Sequence, residues 1–179
     1  TLYGGDGDDV LWAGKNSSVF VNSGNNMLFG GEGNDLLHGG DGSDILSGGS
    51  GNDTLYGQDH ATGVFEGGPG NDTYFLPYYD DNITLVELAG EGEDKVFASN
   101  DYILPDNIEN LEGGHNANYL VGNSLDNKIT ADHTQGSVLD GGEGIDILTG
   151  SWTKDVFIVD DPLDQVIPND NKFRDVVYS

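Results

Sequence analysis

Between Gly30 and Tyr56 one pattern runs three times without an inserted residue, as GGEGNDLLH, GGDGSDILS and GGSGNDTLY. An apolar residue stands eighth in each nine-residue block, at Leu37, Leu46 and Leu55, flanked by variable seventh and ninth residues. In an extended chain the side chains alternate, so the eighth position faces inward and its neighbours face outward. The glycine-rich half must turn, because glycine takes positive φ without a Cβ clash. A block is therefore a turn and a short strand, half of one coil. Two blocks make a full turn, and residues two blocks apart stack at the ~4.8 Å spacing of neighbouring strands.

The beat can be followed through the chain. Block 4–12, GGDGDDVLW, is complete, with Asp9 and Leu11. The next two blocks, AGKNSSVFV and NSGNNMLF, keep the inward residues Phe20 and Leu28 but carry Ser18 and Asn26 in place of the aspartate. After the unbroken triplet, GQDHATGVFE is irregular, and GGPGNDTYF at 67–75 is complete again, with Asp72 and Tyr74. Residues 76–112 break the period with extended segments (ITLVEL, KVFAS) and one half-match, AGEGEDKVF, containing Asp94. A second run covers 113–158 with inward positions Leu120, Ile129, Leu139, Leu148 and Phe157, and 159–179 begins a further extended passage. Because the final DVVYS parallels DKVFA at 94–98, the natural chain is expected to continue past Ser179. The predicted organisation is thus 1–75, a first metal-binding block; 76–112, linking strands that continue the stack; 113–158, a second, partly degenerate block; and 159–179, the start of another linker.

The sixth position carries the candidate chemistry. Aspartate stands there at Asp9, Asp35, Asp44, Asp53, Asp72 and Asp146, and at the less regular Asp94 and Asp155. Stacked carboxylates repel by ~1 kcal/mol in water and several times that at a partly dried surface. A row of them needs a cation between layers. The backbone oxygens of the turn glycines, Gly31, Gly33, Gly40, Gly42, Gly49, Gly51, Gly68 and Gly70, would complete an all-oxygen shell. Such a shell suits a hard ion with six to eight ligands, Ca²⁺ rather than Zn²⁺ or Mg²⁺. If successive blocks alternate between two edges, Asp35/Asp53 and Asp53/Asp72 form two strong sites. On the other edge Asp44 meets only Asn26 and the loop of Asp59, Asp9 faces Asn26, and in the second run Asp146 pairs with Asn127 and Asp155 with Asp132. Asparagine at Asn118 and Asn127 can ladder through amide hydrogen bonds, which predicts coils partly free of calcium.

GGEGNDLLH and its neighbours resemble the nonapeptide GGxGxDxUx of the RTX, or haemolysin-type calcium-binding, family, and six copies match in full. The passage from VELAGEGEDKV to LPDNIENL is similar to the linker between nonapeptide runs in that family. The resemblance implies an all-β fold, a right-handed parallel β-roll (a β-helix solenoid) with several Ca²⁺ ions between its turns. It further implies a secreted protein of the type I route, folding outside the cell and stabilising or displaying an attached domain of the same polypeptide. Two other roles stay open: a carbohydrate-binding accessory module of a polysaccharide-modifying enzyme, and a stalk or adhesion segment of a larger adhesin or toxin.

Six Lys+Arg against 32 Asp+Glu give a net charge of -26 over 179 residues. Such a chain opposes its own compaction until charge is neutralised, and nucleic acid and anionic membranes are poor partners. No apolar run is long enough to span a membrane. There are no cysteines, hence neither disulfides nor thiolate metal sites. No GxSxG, HExxH, EF-hand or phosphate-loop pattern occurs, so no catalysis is expected of this segment. His38, His60, His115 and His133 lack zinc spacing and read as loop or surface residues. Tyr3, Val21, His38, Tyr56 and Phe75 form a nearly aromatic outward stripe, either good strand formers or a stacking surface for sugar or a neighbouring domain.

Overall fold

The computed structural model describes residues 1–12, 24–58, 60–78, 82–132, 136–169 and 175–179. Among these the only regular elements are strands, and the strand pairs are parallel, as a coil rising by one strand spacing per turn requires. The chain forms a β-solenoid in two compact units, Thr1–Asp94 and Lys95–Ser179.

In the first unit the strands are β1 (Leu2–Asp6), β2 (Val10–Trp12), β3 (Met27–Glu32), β4 (Leu36–His38), β5 (Gly42–Ser50), β6 (Thr54–Tyr56), β7 (Ala61–Glu66), β8 (Thr73–Leu76) and β9 (Ile83–Val86). Odd strands stack in the order β1-β3-β5-β7-β9 and even strands as β2-β4-β6-β8. Each coil therefore gives one strand to each sheet, as the half-coil reading of the nonapeptide requires. The second unit repeats the arrangement with β10 (Lys95–Ala98), β11 (Tyr102–Ile103), β12 (Asn110–Gly113), β13 (Tyr119–Val121), β14 (Lys128–Thr130), β15 (Val138–Asp140), β16 (Ile147–Thr149), β17 (Val156–Ile158), β18 (Gln165–Ile167) and β19 (Val176–Tyr178). Its sheets run β10-β12-β14-β16-β18 and β11-β13-β15-β17-β19.

The eighth position fills the interior. Leu28, Leu37, Leu46, Leu55, Phe65 and Tyr74 in the first unit, and Leu120, Ile129, Leu139, Leu148 and Phe157 in the second, are fully buried. In register they form rungs, Leu28 beside Leu46 beside Phe65, and Leu37 beside Leu55 beside Tyr74. The glycine half is more ordered than a simple turn. Strand β5 runs through Gly48 and Gly49, and Gly31 pairs directly with Gly49. A Cβ on Gly49, at φ 111°, would strike the Gly31 carbonyl, so the backbones approach this closely only because no side chain intervenes.

One expected register is corrected. The first block pairs with the block of Asp35, Val10 opposite Leu36 and Leu11 opposite Leu37, and not with the block of Asn26. Asp9 and Asp35 lie 26 residues apart where Asp35 and Asp53 lie 18 apart, so the passage with the two worn blocks does not keep the count of nine residues per half-coil. Neither contains a Gly-Gly pair to make a turn of its own. Phe20, Val21 and Ser18 fall outside the described residues.

The outward stripe changes accordingly. Trp12, His38, Tyr56 and Phe75 stack ring on ring, with centroids 3.7, 4.5 and 4.4 Å apart. Tyr3 instead stacks on Phe29 of the other sheet at 5.2 Å. His38 is thus a strand residue within a ladder, and its burial there lowers its pKa.

A rung residue should matter far more than its outward neighbour. Leu46→Ala is expected to cost about 2–5 kcal/mol and Ile45→Ala, half exposed beside it, about 0.5 kcal/mol or less, read from denaturant unfolding at saturating calcium.

Candidate metal sites

In the first unit the turn preceding each even strand ends in an aspartate, and with Asp94 these acids form one row: Asp9, Asp35, Asp53, Asp72 and Asp94. The backbone N–H of each donates to Oδ1 of the next, at 2.7 Å (Asp9 to Asp35), 2.7 Å (Asp35 to Asp53), 2.6 Å (Asp53 to Asp72) and 2.8 Å (Asp72 to Asp94). Asp9 therefore belongs to the Asp35 edge, which corrects its assignment to Asn26. Asp94, only a half-match in sequence, extends the row.

The other carboxylate oxygen has a different fate. Oδ2 of Asp9, Asp35, Asp53 and Asp72 is buried with no hydrogen-bond donor among the described residues, and so is Oδ2 of Asp44 and Asp146. The first glycine of the block makes room for it. A Cβ on Gly4 would lie 2.6 Å from both Asp9 Oδ2 and the Gly30 carbonyl oxygen; Gly30 stands likewise against Asp35 Oδ2 and the Gly48 carbonyl. A carboxylate oxygen and a carbonyl oxygen thus converge on one space, and neither can donate. Gly31, Gly33, Gly49, Gly51, Gly68 and Gly70 have positive φ, and the carbonyls of Gly31, Gly33, Gly49 and Gly51 point along the stack at the glycine of the next coil. This donor set, anionic and carbonyl oxygens with no proton to share, fits a hard divalent cation.

Burial raises the carboxylate pKa values. Desolvation pushes Asp53 up to about 6 and Asp72 to about 7, against partial relief from the backbone N–H each accepts, while the neighbouring acids of the row add to the rise. Asp35 is raised by the same causes.

On the opposite edge Asp44 is fully buried and accepts from Asn26 N at 2.8 Å and Asn26 Nδ2 at 3.2 Å. Its partner in the following coil is Gly63, with no acid; Asp59 lies outside the described residues. Gly40 and Gly42 flank this position at positive φ, and desolvation holds Asp44 at about 6.

The second unit uses two other solutions. Asn127 accepts from Asn123 N with Oδ1 and donates with Nδ2 to the carbonyls of Ile108 (3.1 Å) and Glu109 (3.2 Å), so an amide N–H₂ stands where a cation would. These bonds go to backbone and not to another asparagine, and the amide of Asn118 likewise donates to the Asn116 carbonyl. Asp155 is not paired with Asp132: its Oδ1 accepts from Ser137 N at 2.8 Å, and the Ser151 N–H and hydroxyl bind Oδ2. The extra residue in ADHTQGSVLD puts Ser137, two before Leu139, at the sixth position, while Asp132 faces His115 at 3.6 Å. Asp146 keeps the open form, taking the Asn127 N–H at 2.8 Å with Oδ2 unpartnered and its pKa raised by burial to about 6.

Several residues escaped the sequence reading. Asp164 continues the Asp146 row (Asp146 N to Asp164 Oδ1, 2.9 Å) and Asp175 the Asp155 row (2.9 Å). Each precedes a strand by the same Asp-x-Val spelling that marks Asp94, which is the signal that could have found them. Glu87, buried beside Asp72, has no motif. The fifth position also stacks: Asn34 N donates to Asp8 Oδ1, Asn52 N to Asn34 Oδ1, Asn71 N to Asn52 Oδ1 and Glu93 N to Asn71 Oδ1.

The family model described as the RTX calcium-binding nonapeptide repeat (4 copies) matches residues 1–17, 20–58 and 136–161. No curated protein and no solved structure matches the chain. The repeats are calcium-binding, and the matched segments contain Asp9, Asp35, Asp44, Asp53, Asp146 and Asp155.

The raised pKa values give the metal-free coil a pH dependence of definite sign. In the open chain these aspartates titrate near 3.8, in the coil near 6 to 7, so the coil binds more protons between those values. The stability this supplies is present in acid and lost as pH rises through about 6 to 7. In excess chelator, far-UV circular dichroism should therefore show more strand signal at pH 5 than at pH 8. Calcium should reverse the order.

Proposed function

We propose that this chain, an RTX repeat protein, is a calcium-triggered folding module of a larger secreted protein. On this reading it stays open at cytosolic calcium and closes outside the cell, stabilising or displaying a domain attached to it. The observation that carries the reading is the five-membered row Asp9–Asp35–Asp53–Asp72–Asp94, with buried second oxygens on four of its members that meet no donor among the described residues.

The mechanism is linkage. A Ca²⁺ ion held between Asp35 and Asp53, or Asp53 and Asp72, needs oxygens from two coils, and the open chain offers no such set. Binding free energy then becomes folding free energy, about 2.7 kcal/mol per independent site at a hundredfold excess over its dissociation constant. Several sites acting on one chain give a steep response. With a net charge of -26 the metal-free chain repels itself, which keeps it extended for passage through the type I route that the family resemblance implies. Asp44 and Asp146 are read as weaker sites with one carboxylate layer each, and Asp155 as a coil closed by Ser151 in place of metal.

A carbohydrate-binding role finds less support in the aromatic ladder. Sugars stack on exposed ring faces, whereas Trp12, His38, Tyr56 and Phe75 turn their faces toward one another.

Calcium titration of the full chain at neutral pH, followed by far-UV circular dichroism and Trp12 and Trp152 fluorescence, tests the proposal. Cooperative folding on addition of calcium is expected, and a chain equally structured in excess chelator would overturn it. Asp53→Ala, which removes a ligand common to two layers, should raise the midpoint several-fold more than Asp9→Ala at the end of the row.

A further inference from the structure

Where the nonapeptides of the first unit end, the row of aspartates gains a neighbour of another kind. Glu87 follows β9, on the other sheet, and is buried against Asp72 and Asp94. One carboxylate oxygen from each of the three lies within 4.8 Å of the others. Independently, Asp72 is 1% exposed and its Oδ2 has no hydrogen-bond donor among the described residues. That oxygen is aimed into the cluster, since a Cβ on Gly67 would touch both Asp72 Oδ2 and Glu87 Oε1. Tyr74 fixes the arm of Glu87: its hydroxyl donates to Glu87 Oε1 and accepts the Gly67 N–H at 2.6 Å.

We propose that Asp72, Glu87 and Asp94 form a three-carboxylate calcium site, built differently from the two-layer repeat sites and filled at the lowest calcium concentration of any site in the first unit. The inference rests on the reading of the chain as a calcium-folded module. Two oxygens on opposite sides of a Ca²⁺ ion, each at 2.3–2.6 Å, stand at most about 5 Å apart, so a spread of 4.8 Å lets one ion touch all three. Mg²⁺, at about 2.0–2.1 Å, spans only about 4 Å and demands a stricter octahedron. Three charges about one ion exceed the pair that a repeat site offers, and the site is dry, so attraction to a divalent cation is stronger here. Three carboxylates buried this close together repel one another, so the cluster needs a neutralising partner, either a metal ion or protons. Oxygens held within the span of one calcium coordination shell favour the ion. The consequence is directional: ordering Glu87 and Asp94 around one ion sets the last coil of this unit first and gives Asp53 and Asp35 a template.

Glu87→Gln separates the two occupants. The amide is isosteric with a protonated Glu87 and keeps an acceptor for Tyr74, so a proton-holding cluster would tolerate it. By isothermal calorimetry and equilibrium dialysis of the full chain, Glu87→Gln is expected to lose one bound ion and the tightest phase, with at least a tenfold weaker first step. Glu66→Gln, at an exposed acid of β7 outside the row, should leave that first step unchanged. An unaltered first step and ion count in Glu87→Gln would overturn the proposal while calcium-dependent folding of the wild type stood; absence of that folding would instead remove the parent reading. Should Glu87→Gln not fold, terbium replaces calcium in the wild type and in Tyr74→Phe. Emission of the first terbium equivalent, excited through tyrosine, is expected in the wild type and lost in Tyr74→Phe. Equal emission from both would also overturn the site.

Discussion

The structure depends on an aspartate that spends one oxygen on its neighbour and has nothing to give the other. Oδ1 of Asp35, Asp53 and Asp72 holds the preceding coil by a backbone N–H, which forces the carboxylates into register one strand spacing apart. At ~4.8 Å two such charges repel by just under ~1 kcal/mol in water and by ~3–4 kcal/mol at the effective dielectric of a protein surface. A buried leucine rung contributes ~1.5–3 kcal/mol. The two terms are of one order, with one carboxylate contact and two buried rung residues per coil, so the interaction that aligns the stack also takes back much of what the rungs contribute. Whatever neutralises Oδ2 decides the state of the chain, and that explains a fold whose hydrophobic interior is one side chain deep.

Three neutralisers can be told apart by chemistry. Protonation serves the raised carboxylates in acid. At Asn127 the neutraliser is covalent, an amide nitrogen donating to the Ile108 and Glu109 carbonyls. At Asp155 it is local, the Ser151 N–H and hydroxyl. These metal-free solutions occur in the unit that keeps one complete nonapeptide, 141–149, while the unbroken Asp35–Asp53–Asp72 series lacks both. A serine where Gly-Gly would stand and an asparagine where aspartate would stand are therefore changes of neutraliser and leave the stack intact, as the full burial of Leu120, Ile129 and Phe157 shows.

Much of this was legible in the residues because period and chemistry coincide. The rungs at Leu37, Leu46 and Leu55 and the pairing of Asp35, Asp53 and Asp72 follow from nine-residue spacing alone. The failures share one cause, the assumption that every nine residues make half a coil. The worn blocks broke that count and moved Asp9 to the Asp35 edge; one extra residue put Ser137 where Asp132 was expected. Local spelling was the better guide, since Asp-x-apolar before a strand identifies Asp94, Asp164 and Asp175 alike. Glu87 could not be found this way, because its place depends on the route of an irregular segment back to the row.

The polarity of the hydrogen bonds adds a last constraint. In the inner row the earlier coil donates and the later carboxylate accepts, Asp35 N to Asp53 Oδ1; one residue before, the later coil donates and the earlier side chain accepts, Asn52 N to Asn34 Oδ1. Adjacent residues thus stitch each layer to its neighbour in both directions. Neither bond can form until two coils are in register, so a lone coil gains nothing from its own sequence, and stability resides in interfaces between repeats. On the proposed reading, a cation seated between Asp35 and Asp53 would fix Asp53 for the layer shared with Asp72, and ordering one layer lowers the entropy cost of the next. Cooperativity along the row is therefore a property of the shared aspartate itself and needs no contact beyond nearest neighbours.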